Sequence, residues 1–458
     1  MGSPNRFFWE STIPHPASEV FAWHTRPGAF NRLNAPWRPV RISHASGSIT
    51  VGAEVEIRLP VAPGLSIPWR LSHTTYEPPT LFTDQQVKGP FRYWRHSHRF
   101  IQQSEASMTM RDEIEYQLPR GLGLANCLVQ QELQRLFAFR HALLSADLEL
   151  HARFRHETRK TILIAGASGF IGQALKAFLT TAGHTVSTLV RRHPCAQDEH
   201  FWDPNAGVLA PQVFHGVDAV INLCGENIAS GRWTNERKWR IEQSRVLATS
   251  LLARTIAALP SPPEVCINAS GVGIYGDTGE KCVDESSACG SGFLAQVGTA
   301  WEAASLPLAA SRCRNVNLRL GMVLNAAGGA LASMLPAFYC GVGGRLGSGH
   351  QFMSWIGLQD VLGVMEHVLY TGDLSGPVNC VSEYPCTNRD FSAALAAVVR
   401  RPALIPAPSF ALRAALGEMS QLLLTSSRVH PQRLLESGYR FFHPDLASAL
   451  RFECGRLR

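Results

Sequence analysis

Apolar and polar positions follow two different rhythms along this chain, and the change of rhythm falls near residue 155. Before it, Arg6 to Ser11, Ile49–Leu59, Trp69–Glu77, Leu81–Lys88, Tyr93–Gln102 and Ser107–Leu118 read as strands separated by Pro and Gly clusters, which predicts an antiparallel sheet. Ala17 to Trp23 reads as a short amphipathic helix introduced by Pro16. Leu124 to Leu150, with Leu128, Leu133, Leu136, Phe137 and Leu144 near helical spacing, predicts a long helix lying across that sheet. His151 to Lys160 is polar and basic, and beyond it apolar strands alternate with helices to about Gly376, the pattern of a doubly wound α/β parallel sheet. From Asn388 the pattern is mostly helical, broken by Pro402, Pro406, Pro408 and Pro431. Three domains are expected: residues 1–155 (α+β), 160–376 (α/β) and a small helical one at 377–458.

The chemistry concentrates where the second rhythm begins. Thr161 to Ala165 is a short apolar, β-branched run, and Phe170 to Leu179 continues with helical periodicity, so Gly166-Ala167-Ser168-Gly169-Phe170-Ile171-Gly172 occupies a strand-to-helix turn. There Gly166 permits the tight turn, Gly169 lets backbone approach a pyrophosphate, and Gly172 allows close helix–strand contact, the Rossmann arrangement for a dinucleotide. The phosphates are expected on the amides and positive dipole end of the helix from Phe170. The next strand, His184 to Val190, ends in Arg191-Arg192, where an NAD enzyme places an acidic residue against the ribose hydroxyls. An arginine there suits a 2′-phosphate, so NADP(H) is expected over NAD(H), with NAD left open.

Composition narrows the rest. With 458 residues, 45% hydrophobic and 17% charged, the chain is a multi-domain globular protein. Its net charge of +7 comes from scattered residues, which argues against nucleic acid and fits small anionic ligands. Eleven cysteines without a Cys-x-x-Cys pair predict reduced thiols. With no stretch of ~18 apolar residues and no apolar leader, a cytoplasmic protein without stable membrane insertion is expected, its oligomeric state open.

Val217-Asp-Ala-Val-Ile-Asn-Leu-Cys-Gly225 resembles the fourth strand of extended short-chain dehydrogenase/reductases, and Ile267-Asn-Ala-Ser-Gly-Val-Gly-Ile-Tyr-Gly276 their fifth with its serine. Arg232-Trp-Thr, Ser244-Arg245, Leu318-Arg-Leu-Gly-Met-Val-Leu324, Leu346-Gly-Ser-Gly-His-Gln351 and Ser354-Trp-Ile356 are similar to the bacterial epimerase-family proteins labelled nucleoside-diphosphate-sugar epimerases. Gly376-Pro-Val-Asn, Arg401-Pro402 and Gly438-Tyr-Arg-Phe resemble that family's small C-terminal domain. The resemblance implies an NAD(P)-binding oxidoreductase or epimerase and adds Leu223, Cys224, Gly225 and Arg245 to the expected cofactor contacts. The family's Tyr-x-x-x-Lys pair falls near Leu294 and Gly298, so neither proton-handling group is present. Ser270 and Tyr275 remain as candidate catalytic groups, Tyr275 being equally a loop aromatic beside the cofactor. Arg319, in an apolar strand, is either an anion-binding arginine or the partner of a buried carboxylate. His350 and Gln351 follow a glycine-rich turn and are candidate substrate contacts, and Gly357 stands where the family usually has His.

The N-terminal segment resembles a START-type, polyketide-cyclase-like helix-grip domain, through its architecture and Tyr93-Trp-Arg-His-Ser-His-Arg-Phe100. Alternation turns Trp94, His96, His98 and Phe100 inward, and on the next strand Met108, Met110, Asp112, Ile114 and Tyr116. Inward His96, His98 and Asp112 fit two readings: a cavity for an apolar ligand with a polar end, or a hydrogen-bonded His–Asp pair in a filled core. With no third ligand apparent, no metal is expected. Two functions follow for the whole chain: an NADP(H)-dependent oxidoreductase or epimerase-like enzyme with a small-molecule substrate, or an NADP(H)-binding sensor or carrier without turnover.

Overall fold

The computed structural model describes residues 3–62 and 64–457; Met1, Gly2 and Arg458, at the ends of the expected first and third domains, and Pro63 lie outside the described residues. The chain divides into two compact units, Met1–His156 with Thr180–Gly183 and Gly455–Arg458, and Glu157–Leu179 with His184–Cys454.

In the first unit, β1 (Asn5–Ile13), α1 (Ala17–Thr25) and α2 (Ala29–Arg32) precede six strands: β2 (Arg41–Ala45), β3 (Glu54–Ala62), β4 (Leu65–Glu77), β5 (Leu81–Lys88), β6 (Tyr93–Ser104) and β7 (Ser107–Gln117). They form one antiparallel sheet in the order β1-β7-β6-β5-β4-β3-β2, closed by the 27-residue α3 (Asn126–Ala152). Strict alternation along β7 buries Met108, Met110, Asp112, Ile114 and Tyr116 and leaves Arg111, Glu113 and Glu115 on the other face. From α3, Leu133, Phe137, Leu144 and Leu148 enter the core. Leu128, expected on that buried stripe, is instead 68% exposed, because the apolar face of α3 begins one turn later. The short β2 and α2 carry too little periodicity to be read from sequence; the buried Arg32 of α2 is fixed by a bidentate ion pair to Asp147 on α3, at 2.6 and 2.8 Å.

In the second unit β8 (Thr161–Ala165), α4 (Phe170–Ala182), β9 (Thr185–Val190), β10 (Glu199–Asp203), β11 (Val208–Leu209), β12 (Ala219–Asn222), α5 (Asn235–Ala257), β13 (Val265–Gly271), α6 (Phe293–Ala303) and β14 (Arg314–Leu320) follow in turn. Then come β15 (Met322–Leu324), α7 (Gly329–Tyr339), β16 (Phe352–Met353), β17 (Trp355–Gly357), α8 (Leu358–Tyr370), β18 (Gly376–Cys380), β19 (Cys386–Thr387) and α9 (Asn388–Val399). The main sheet runs β11-β10-β9-β8-β12-β13-β14-β18, parallel except for β11. β8, β12 and β13 are almost wholly buried, as strands covered on both faces must be, which is why they read as continuous apolar runs. The order reverses between β8 and β12, so a crevice forms beyond their carboxyl ends.

The tail contributes α10 (Ser409–Leu416), α11 (Gln421–Leu424), α12 (Gln432–Glu436) and α13 (Leu446–Glu453), with Pro408 and Pro431 at the N-caps of α10 and α12. Compactness separates two units where sequence suggests three. β18 completes the main sheet, and Phe391, Leu395 and Leu450 share one core with Leu324, Leu331 and Trp355, so the segment after 376 packs into the core of the nucleotide fold. Among the described residues no helix is long and apolar enough to cross a membrane.

Candidate functional site

The glycine turn lies at the strand-order reversal. Gly166 has φ 83°, a left-handed conformation that disfavours side chains, and a Cβ there would sit 2.8 Å from the Leu223 carbonyl carbon at the end of β12. Gly172 is tighter, since a Cβ would lie 2.3 Å from Gly166 O and 2.7 Å from Ala167 Cα, so only glycine lets α4 press against the turn. Gly169 meets nothing closer than Gly166 O at 3.3 Å, and Ser168 and Gly169 are exposed: the turn is packed behind and open in front. The first-turn amides of α4, from Phe170 and Ile171 onward, have no intrahelical acceptors. A pyrophosphate fits this cradle. Leu223, whose N–H donates to Ala165 O at 2.9 Å, and Cys224 form the opposite lip.

The two arginines after β9 are not equivalent. Arg192 makes a bidentate ion pair with Glu199, at 2.5 and 2.8 Å, which holds that carboxyl down at about 2. Exposed Arg191 has no ion pair among the described residues, and its charge opposes the burial that pushes the Cys224 thiol up to about 12. Arg245 on α5 is a buried cation held by no ion pair among the described residues, though the Glu226 charge favours it. It donates to Ile241 O (2.8 Å) and Glu226 O (3.1 Å), stacks 4.8 Å over Trp301, and burial pulls it down to about 10. A Cβ on Gly225 would meet its Cζ at 3.1 Å, so that glycine makes room for the guanidinium.

Ser270 and Arg319 are register partners on β13 and β14, and Asn379 on β18 pairs with Arg319, which aligns three polar side chains across the sheet. Glu302 from α6 joins them. Arg319 donates from Nε and Nη2 to its two carboxylate oxygens, both at 2.8 Å, and Ser270 Oγ donates to Oε1 at 2.7 Å. Nη1 of Arg319 donates to the Tyr275 hydroxyl at 2.7 Å, which donates onward to Asn379 Oδ1 at 2.8 Å. Of the two sequence readings of Arg319, the buried-carboxylate partner is the observed one. Arg319 is also the cation beside Tyr275, yet burial outweighs it and raises the phenol above its ordinary range, so Tyr275 stays protonated at neutral pH. Burial disfavours the Arg319 charge too, but Glu302 and Tyr275 more than restore it.

Leu294 and Gly298, at the positions of the family's dyad, are packing residues against the turn before Tyr275. Leu294 Cβ would lie 3.1 Å from a Cβ on Gly273, and a Cβ on Gly298 would lie 2.9 Å from Ile274 Cβ. His350 is exposed beside Arg389 Nη2 at 3.1 Å. Gln351 donates both amide hydrogens to backbone, Leu346 O at 3.0 Å and Leu423 O at 2.9 Å, and so ties the glycine-rich turn to α11 rather than presenting donors to a substrate. The place beside Gly357 is filled from the tail, where His443 Cδ2 lies 2.6 Å from a would-be Cβ.

In the first unit the inward polar residues form a larger cluster than the sequence pair. His96 Nε2 hydrogen-bonds Asp112 Oδ1 at 2.8 Å, and His141 Nε2 of α3 meets Asp112 Oδ2 at 2.5 Å. His98 Nδ1 lies 2.6 Å from Asp112 Oδ1 but outside hydrogen-bonding direction. Asp84, on β5 opposite His96, has its Oδ2 3.4 Å from His96 Nδ1 and 3.8 Å from His98 Nε2. Asp84 is the third ligand-type group that sequence did not reveal. Burial opposes each charge here, yet the carboxylates push His96 up to about 9, while burial and His96 push His98 down to about 4. Trp94 packs edge-on to Trp69, with ring centres 4.9 Å apart. The cavity beside the cluster, lined by His24, Leu33, His98, Met110, Phe137 and Leu144 among others, is about 10 Å³, room for one water and not for an apolar ligand. The His–Asp reading is the one observed.

Sequence pattern alone does not single out Asp84, His141, Glu302 or Asn379. Alternation from Phe82 does turn Asp84 inward; the other three depend on registers and helix docking that no local pattern encodes.

A doubly wound sheet with this turn is the architecture of nucleotide-dependent epimerases and dehydratases, and comparison with known proteins agrees. Residues 162–373 match the NAD dependent epimerase/dehydratase family, 13–144 the polyketide cyclase / dehydrase and lipid transport family, and 407–453 a domain of unknown function, DUF1731. An epimerase family protein of Mycobacterium bovis is 43% identical over 296 residues, 64% of this chain and 98% of that protein, and human epimerase family protein SDR39U1 is 38% identical over 294, covering 63% and 98%. A Corynebacterium glutamicum crystal structure described as a nucleoside-diphosphate sugar epimerase superposes with TM-score 0.82 at 29% identity, over 98% of this chain and 90% of that one. Human SDR39U1 (isoform 2), solved with NADPH, gives 0.59 at 34%, over 65% and 99%. This chain belongs to the epimerase family, with a polyketide-cyclase-like segment before the nucleotide fold and DUF1731 after it.

Proposed function

We propose that the chain is an NADP(H)-dependent oxidoreductase or epimerase-like enzyme acting on a small molecule. The observation that carries this is the turn from Gly166 to Gly172, closed behind and open in front, with exposed Arg191 directly after β9 to take a 2′-phosphate. The NADPH in the human relative's structure supports the choice of nucleotide. When bound, the nicotinamide supplies or accepts a hydride. The chain's own part is to hold the pyrophosphate on the α4 amides, to meet the 2′-phosphate with Arg191, and to protonate a substrate oxygen from Tyr275. A phenol kept protonated by burial, with Arg319 ready to stabilise the phenolate, suits proton donation better than abstraction. Calorimetric titration with NADPH and NADH tests the reading. Arg191→Ala is expected to weaken NADPH about tenfold or more, the worth of one charge-assisted contact, and to leave NADH unchanged. Arg192→Ala is expected to leave both within about twofold; equal affinity of the native chain for the two nucleotides contradicts the assignment.

A second reading, nucleotide binding without turnover, is favoured by one observation: Ser270, Glu302, Arg319, Tyr275 and Asn379 satisfy one another, and the dyad positions are filled by Leu294 and Gly298. Incubation with NADPH and fractionated cell metabolites separates the two. Nucleotide oxidation, or isomer formation without net oxidation, that is lost in Tyr275→Phe supports the enzyme; tight binding with neither supports the sensor.

A further inference from the structure

The Asp84, His96 and His98 side chains stand on adjacent strands β5 and β6 and project into the sheet–helix interior of the first unit. Each offers one ligand atom, and the three atoms lie within 4.8 Å of one another. Asp84 Oδ2 stands 3.4 Å from His96 Nδ1 and 3.8 Å from His98 Nε2, close to the about 3.3 Å edge of a tetrahedron with metal–ligand bonds near 2.0 Å. This carboxylate is nearly buried and faces both imidazoles, so all three groups converge on one point.

The far sides of both rings meet Asp112. His96 Nε2 hydrogen-bonds its Oδ1 at 2.8 Å, which turns Nδ1 toward Asp84, where a metal would displace the Nδ1 proton, and His98 Nδ1 approaches the same Asp112 oxygen to 2.6 Å. A carboxylate hydrogen-bonded behind His96 is the kind of outer support that metal-binding imidazoles have, fixing tautomer and ring angle. His141 holds the other Asp112 oxygen, so this support is itself anchored to α3. Side-chain exposures of 11% for Asp84 and His98 leave a narrow approach for an ion and for a water in the fourth position.

We propose that Asp84 Oδ, His96 Nδ1 and His98 Nε2 bind a divalent transition-metal ion of the zinc type, with Asp112 orienting His96 and the fourth position open to water or a ligand oxygen. Two imidazoles and one carboxylate favour Zn²⁺ or Co²⁺ over Mg²⁺ or Ca²⁺, which take oxygen donors. A bound ion would give this interior a coordination point for an oxygen-bearing ligand, a role independent of the nucleotide turn.

Chelator-stripped full chain, titrated with Co²⁺, is expected to show the visible absorption of four-coordinate cobalt at one ion per chain, bleached by Zn²⁺. Asp84→Asn and His98→Gln are each expected to weaken Co²⁺ at least about 10- to 100-fold, the loss typical of removing even an outer support. Their folding is checked by circular dichroism. Should both variants unfold, paramagnetically shifted imidazole N–H resonances from two histidines in the Co²⁺-loaded native chain provide the same test. No stoichiometric binding, binding unchanged in the folded variants, or no histidine shift would overturn the proposal and leave a self-contained His–Asp cluster.

Discussion

Glu302 holds together two residues that sequence reads as separate candidates, Ser270 and Arg319, and its removal strands a buried guanidinium. Glu302→Ala is expected to cost about 3–5 kcal/mol, the scale for breaking one side of a buried ion pair, whereas Ser270→Ala removes one hydrogen bond and should cost about 1 kcal/mol. Urea midpoints of the two variants check the ratio, and equal costs would contradict the network as drawn. His443 carries the pH expectation. Burial pushes it down to about 4, Asp445 opposes only weakly, and its backbone N–H bonds Asp360. The unfolded chain binds a proton near pH 6.5 that the folded chain refuses, so this contribution is complete above that pH and is lost as pH falls toward 4. His443→Leu should flatten the acid side of the stability curve in that window; an unaltered curve would show the histidine is not the group responsible. Sequence shows that Arg319 is buried and needs a partner, because a charge in an apolar run is locally visible. Which carboxylate answers it depends on how α6 docks, and that is written in no local pattern.

At the scale of elements, the glycines of the first βα turn have different jobs. A Cβ on Gly172 collides with Gly166 O at 2.3 Å and forces α4 off the turn, so Gly172→Ala should lose about 1–3 kcal/mol together with nucleotide affinity. Gly169 has no backbone neighbour closer than 3.3 Å, so Gly169→Ala should keep the melting temperature and weaken NADPH alone. A matched fall of both properties in Gly169→Ala would mean the front of the turn is not where phosphate sits. Gly357 is the tail's counterpart: Gly357→Ala should destabilise by about 1–3 kcal/mol against the His443 ring, and His443→Ala should relieve it. The strands and helices around these points were legible because their periods are clean: Phe170 as the helix start, Leu81–Lys88 and the alternation of β7 all follow from the residues. β2 and α2 were not, being five and four residues long, and the exposed first turn of α3 defeats a stripe drawn through Leu128.

For the whole molecule, the alternation of strands and helices announces the parallel sheet, and its order β10-β9-β8-β12-β13-β14-β18 brings Gly166–Gly172 and Leu223–Gly225 to one crevice. The tail reads as a third domain because prolines break its helices; in space it shares the core of Leu324, Leu331 and Trp355. The inward face of the first unit was predicted residue by residue, but its closed His–Asp cluster was not, since Asp84 and His141 reach it from a different strand and from α3. The central claim is that the open front of the glycine turn holds a pyridine nucleotide. Calorimetric titration of the folded full chain with NADPH tests it most directly: the account predicts saturable binding of one nucleotide per chain, and the absence of heat with both NADPH and NADH, while circular dichroism shows native structure, would contradict it.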